Sequence, residues 1–158
     1  MTPYWTSPDG KITVYHARWE DVLAAGLIPV REVALVHADP PYGIDYDPKR
    51  ECLSGFTGKP RRASLPKVVG DDVRFNPEPL VALGRPSVFW GGNHYADRLP
   101  ASAKWFFWDK RENFGSDNQS DGELAWTNLP GKALRKFDHL WRGGIRRSES
   151  GSPTLHPT

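Results

Sequence analysis

Short apolar runs separated by long polar connections set the pattern of this chain. Residues 11–15 predict a short strand, preceded by a terminal turn over residues 1–10 marked by Pro3, Pro8 and Asp9-Gly10. Residues 20–25 predict a short helix closed by Gly26. Residues 31–38, centred on Val33-Ala34-Leu35-Val36, predict a buried strand. Residues 77–83 predict a second helix, with Asn76 as cap, Pro77 in the first position and Gly84 as stop. Residues 87–90 predict a strand turning at Gly91-Gly92, and Asn93 reads as the cap of a short helix through Arg98. Further strands are predicted at residues 104–108, 123–127 and 137–141, with a Pro130-Gly131 turn between the last two. These elements make an α/β domain.

Two stretches carry no such pattern. Residues 43–70 hold Gly43, Pro48, Gly55, Gly58, Pro60 and Pro66 without a sustained period. A connection this long is expected to be a functional, mobile loop. Residues 143–158, rich in glycine, serine and proline, read as a flexible tail. The expected organisation is thus one domain over residues 1–142, including the loop at 43–70, followed by the tail at 143–158.

The apolar run at 31–38 stops abruptly at Asp39-Pro40-Pro41-Tyr42. Prolines forbid ladder pairing and fix φ, so the strand must end and the turn must be stiff. The turn presents a carboxylate, carbonyls without competing N–H groups, and a flat ring at a strand's carboxyl end, where ligands sit in open α/β sheets. That set suits an exocyclic amine on a planar base. Such an amine is a poor nucleophile because its lone pair is delocalised into the ring. A carboxylate and a carbonyl accepting its two hydrogens localise that pair, and the ring stacks on the base for roughly 1–3 kcal/mol. Stacking offsets part of the few kcal/mol needed to extrude a base from a duplex. Average residue usage puts this tetrad in about one chain in a thousand of this length, so coincidence is a weak explanation.

Asp39-Pro40-Pro41-Tyr42 resembles the signature of amino-group DNA methyltransferases, which use S-adenosylmethionine. Other segments resemble phage-type members: residues 12–23 before the signature, Val88-Phe89-Trp90-Gly91-Gly92-Asn93 after it, residues 105–111, Glu123-Leu124-Ala125-Trp126-Thr127-Asn128, and His139-Leu140-Trp141-Arg142. Leu155-His156-Pro157-Thr158 is similar to the opening of the His-Pro-Thr-Gln-Lys-Pro segment that leads into the cofactor half of permuted members.

The resemblance implies a Rossmann-like methyltransferase sheet. It also implies site-specific methylation of adenine N6 in DNA, in a phage or restriction-modification setting, by direct transfer without a covalent enzyme intermediate. Asp39 and the Pro40 carbonyl would bind the target amine, Pro41 would stiffen the corner, and Tyr42 would stack on the flipped base. Asp39, His156, Pro157 and Thr158 would border the cofactor. An Asp in the first position favours adenine over cytosine.

Family members continue into a Phe-x-Gly-x-Gly turn that cradles the cofactor, and this sequence has none. Gly91-Gly92 and Gly143-Gly144 lack a second spaced glycine opening a helix. Ala17-Arg18 stands where many members carry Gly-Asp. In the family sheet the cofactor-half strands lie between the strand near Ile12 and the strand ending at Asp39. The expectation is therefore a partial Rossmann-like sheet lacking those strands, with an open edge beside Asp39. The chain is expected to be the target-binding half of the enzyme, with a second chain as one source of the cofactor half. The alternatives are one subunit of a split methyltransferase and a non-catalytic nucleic-acid-binding remnant.

Net charge is only +2, so distribution matters more than total. The loop after the tetrad holds Lys49, Arg50, Lys59, Arg61, Arg62 and Lys67, which are candidates for DNA phosphates, as is Arg111 in the polar stretch after the Trp108 strand. Asp71-Asp72 is an acidic cluster apart from these. Cys52 is the single cysteine, which excludes an internal disulfide and two-cysteine metal motifs and agrees with a cytoplasmic location. The five histidines show no metal-ligand spacing, and His37 reads as structural although strand alternation puts it on the same face as Asp39. No run approaches the length of a membrane span, and no signal peptide is evident.

Overall fold

The structure, a computed structural model, describes residues 1–46, 67–112, 120–142 and 145–146. The chain divides into two compact units, residues 1–34 and 35–158.

In the first unit, β1 (Trp5–Thr6) pairs antiparallel with β2 (Thr13–Val14), Trp5 opposite Val14. The expected terminal turn is therefore half of a hairpin. Its loop is closed by short polar side chains: Ser7 Oγ donates to Asp9 Oδ1 at 2.7 Å and accepts from Ile12 N at 2.9 Å. Helix α1 (Trp19–Ala24) follows, with Glu20 and Asp21 in its first turn. The strand expected from residue 31 begins only at Val36, and the N–H groups of Glu32 and Val33 before it are used locally. A 3₁₀ turn spans Val30–Glu32, with Glu32 N bonded to Pro29 O at 2.8 Å and Val33 N to Val30 O at 3.3 Å.

The second unit is built on one mixed sheet. Its elements are β3 (Val36–Ala38), α2 (Glu78–Val81), β4 (Ser87–Trp90), a 3₁₀ segment (Gly92–Arg98), β5 (Trp105–Asp109), β6 (Gly122–Thr127) and β7 (Arg135–Asp138). Strand order is β3-β4-β6-β5-β7. β3 and β4 are parallel, β6 runs antiparallel to both of its neighbours, and β7 is parallel to β5. Among the described residues β3 is an edge strand. What is shown is a mixed α/β sheet with few helices, not a Rossmann-like methyltransferase sheet. A further hairpin, β8 (Trp141–Arg142) with β9 (Ile145–Arg146), straddles the boundary expected at residues 142 and 143. Residues 147–158 of the expected tail lie outside the described residues.

Both helix caps near the sheet follow backbone chemistry. Asn76 Oδ1 accepts from Glu78 N at 3.2 Å at the head of α2, where Pro77 supplies a fixed φ. Asn93, expected to cap the next segment, sits inside it instead. Gly91 takes the cap position with φ of 67°, a left-handed conformation that asparagine reaches only at a cost.

Pairing register sorts the side chains onto two faces. On one, Phe89 stacks on Trp126 at 5.4 Å, and both are buried. On the other, Trp90 and Trp108 meet edge to face at 6.2 Å, and Phe137 packs against both. Trp90 pairs with Ala125, whose small side chain leaves room for the rings to meet. The lower end of β4 is locked by Thr127 Oγ1 donating to Ser87 O at 2.6 Å and Asn128 Oδ1 accepting from Ser87 N at 2.7 Å.

At the far edge, Lys136 Nζ bridges Asp109 Oδ2 and Asp138 Oδ1, each at 2.8 Å, joining β5 to β7. Lys136, helped by the N–H groups of Arg111 and Glu112, holds the Asp109 carboxyl down at about 2. The folded-state value lies below the unfolded one. The stabilisation is therefore complete above the ordinary carboxylate range and is lost as pH falls through about 2. Asp109→Asn should flatten the acid limb of the stability profile below about pH 4 and leave its shape near neutrality unchanged. Denaturant titrations at a series of acidic pH values measure this, and an unaltered acid limb would contradict it.

Candidate functional site

The tetrad leaves the sheet where β3 ends. Asp39 follows Ala38 directly and its side chain is exposed. Pro40 is half-buried and Pro41 exposed, so the corner opens to solvent. Tyr42 folds back over it. Its Oη donates to Asp39 Oδ1 at 2.8 Å, and its ring stacks on His94 at 5.0 Å with the planes 13° apart.

That ring lies against Gly91 at the end of β4. A Cβ on Gly91 would stand 2.1 Å from Tyr42 Cε1, so only glycine fits. Parallel pairing of β3 with β4 thus brings the Asp39 corner and the Gly91 turn to the same sheet end. Burial, reinforced by the carboxylates of Glu123 and Asp39, pushes the Tyr42 phenol far above its ordinary range. It remains a proton donor to Asp39. Tyr95, its ionisation suppressed first by burial and then by Asp39, donates to the Trp90 carbonyl beneath this turn.

Asp71 anchors the backbone beyond the tetrad. Its buried carboxylate accepts from Gly43 N at 2.8 Å, Ile44 N at 3.3 Å and Tyr46 N at 2.7 Å. In return Asp45 N donates to Asp71 O at 2.7 Å. Gly43, with φ of 75°, lies so close to residue 74 that a Cβ would stand 2.3 Å from Arg74 Cα. Asp71 therefore ties the start of the long connection to its end and fixes where Tyr42 leaves the corner. The sequence shows Asp71 only as half of an acidic pair. Gly70 before it and Gly43 opposite are the available signals of a tight backbone approach.

Lys67 pairs with Asp45 at 2.9 Å and its side chain is mostly exposed. Arg111 is placed inward: its side chain is buried, with Nε donating to Asp121 Oδ1 at 3.1 Å, rather than displayed to a partner. The turn after β5 sets this orientation, since Asp109 Oδ1 accepts from Arg111 N at 2.8 Å. Lys49, Arg50, Lys59, Arg61 and Arg62 lie outside the described residues, as do His156, Pro157 and Thr158.

His37 is exposed on β3, two residues before Asp39, and accepts from Trp90 Nε1 at 2.8 Å. Sequence spacing alone does not reveal this pair, which is separated by 53 residues. Among the described residues no group of three metal-ligating side chains converges, and no helix is long and apolar enough to cross a membrane. The chain matches no family model, curated protein or solved structure.

The arrangement offers an acceptor-rich, solvent-open corner beside an aromatic ring, with its exit anchored by Asp71. Asp71→Ala removes the acceptor of three N–H groups and should cost about 2–4 kcal/mol in denaturant unfolding, while Asp71→Asn, keeping one acceptor oxygen, should lose less. A loss below about 0.5 kcal/mol for the alanine variant would show that the knot is not structural.

Proposed function

We propose that this chain is the target-binding part of an S-adenosylmethionine-dependent DNA methyltransferase acting on adenine N6. The observation that carries the reading is the exposed Asp39 carboxylate at the end of β3, followed by two prolines and by a Tyr42 ring seated on Gly91. Asp39 and the Pro40 carbonyl accept the two hydrogens of an exocyclic amine and localise its lone pair on nitrogen. Tyr42 supplies the stacking surface, the base displacing the His94 ring that now stacks on it. Its hydroxyl now occupies one Asp39 oxygen, so base entry exchanges that bond for one from the amine.

The parent sheet in this reading is Rossmann-like, completed beyond β3 by the cofactor-half strands. The open β3 edge supports that placement. The basic residues at positions 49, 50, 59, 61, 62 and 67 contact phosphates in the same reading, and a cytoplasmic enzyme of phage or restriction-modification type is the corresponding setting.

The Gly91-Gly92 turn beside the corner does not fit the cofactor. A cofactor cradle needs backbone without Cβ facing the ligand. The space above Gly91 is filled by Tyr42, and that beside Gly92 by Trp105 and Trp126. The methyl donor is therefore held by residues other than these, with a second chain as one source. The same packing favours one other reading, a nucleic-acid-binding remnant without catalysis.

Calorimetry with S-adenosylmethionine separates these arrangements. No binding by this chain, with methylation restored on adding a cofactor-binding partner, fits the proposal. Micromolar binding by the chain alone would contradict the incomplete-cradle account, and DNA binding that no partner converts to methylation would favour the remnant. In the reconstituted enzyme Asp39→Ala should abolish methylation of adenine while retaining DNA binding, because phosphate contacts carry most of that affinity. Full activity of the variant would remove Asp39 from its role.

A further inference from the structure

We infer that His37 is a second base-reading group of the Asp39 corner, donating from Nδ1 to the ring nitrogen next to the target amine, and that Trp90 fixes the tautomer that allows it. The inference rests on the reading of Asp39 as the amine acceptor.

An indole nitrogen can only donate. The 2.8 Å contact from Trp90 Nε1 therefore makes His37 Nε2 an acceptor, and a neutral imidazole so held carries its proton on Nδ1. Trp90 is not free to turn away. It meets Trp108 and Phe137 edge to face, each at 6.2 Å, above the small side chain of Ala125. His37 pairs with Val88 in the parallel ladder, which puts it on the face that also carries Trp90. Asp39 stands two residues further along, the spacing that strand alternation puts on one side. His37 is exposed, so its free edge is open to a ligand at the corner.

An acceptor and a fixed donor two residues apart at the end of one strand match one class of nucleobase edge. Adenine presents N6–H beside N1, and cytosine presents N4–H beside N3: a donor next to an acceptor in both cases. Guanine and thymine present the reverse, a carbonyl oxygen next to an N–H. They would oppose oxygen to Asp39 and N–H to His37. His37 thereby turns a general amine acceptor into a site that selects amino bases over keto bases, and Trp90 acts through it as a positioning residue.

The test uses short oligonucleotides with one unpaired position carrying adenine, 1-deazaadenine (no ring nitrogen acceptor) or purine (no amine). Binding is followed by anisotropy and by the Trp90 indole ¹⁵N–¹H signal. The intact chain should prefer adenine to 1-deazaadenine by about fivefold, the effect of one hydrogen bond. His37→Phe should erase that preference and keep the preference for adenine over purine, which Asp39 supplies. His37→Asn, whose amide restores a donor, should recover part of it. Trp90→Phe, which releases the tautomer, should weaken it with His37 still present. The same pattern with cytosine and 3-deazacytosine would assign the edge to a pyrimidine.

An unchanged 1-deazaadenine discrimination in His37→Phe would overturn the proposal while leaving the Asp39 reading standing. No preference for adenine over purine in the intact chain would overturn both. A His37→Phe variant with the other indole signals in place shows that the loss is not unfolding.

Discussion

Two adjacent prolines remove the N–H groups at positions 40 and 41, and the geometry of the corner depends on that loss. The β3 ladder stops at Ala38 because the chain beyond Asp39 has nothing to donate across the sheet. The backbone N–H groups that return at residues 43, 44 and 46 need acceptors, and the Asp71 carboxylate takes all three. Tyr42 lies between these constraints. With the prolines upstream and the Asp71 knot downstream, its ring settles on the only kind of residue that leaves room for it, the glycine ending the parallel neighbour β4.

Electrostatics at the corner push in one direction. Burial and nearby carboxylates suppress ionisation of both Tyr42 and Tyr95, so each hydroxyl donates, one to Asp39 and one to the Trp90 carbonyl. Asp39 stays exposed and accepts. A carboxylate with a displaceable neutral donor suits a ligand that brings its own N–H. It does not suit an anion, which would meet the charge of Asp39 unshielded. This polarity is the physical basis for reading the corner as a site for amines.

The legible parts of the sequence were those governed by local rules. Apolar runs over four to six residues gave β4, β5 and β6 nearly to their ends, and the breakers Gly26, Pro77 and Gly84 bounded the two helices. The tetrad's position at a strand end followed from proline chemistry. What could not be read was non-local. The pairing of Trp5 with Val14 made a hairpin from an expected turn. The Pro29–Val33 bonds stand where β3 was expected to start, at residue 31. Asp71 takes its meaning from a segment 28 residues away, and His37 from one 53 residues away. Arg111, a surface cation by composition, is turned inward to Asp121. In each case long-range partners decide what the local pattern leaves open.

The central claim is that Asp39 grips an amine on a planar base. An oligonucleotide with a ¹⁵N6-labelled adenine at an unpaired position tests it directly by NMR. On binding this chain, the amino proton signals should move downfield as they enter hydrogen bonds to Asp39 and the Pro40 carbonyl, and Asp39→Ala should abolish the shift without abolishing the complex. Amino signals that stay at their free positions in a saturated complex with the intact chain would contradict the account.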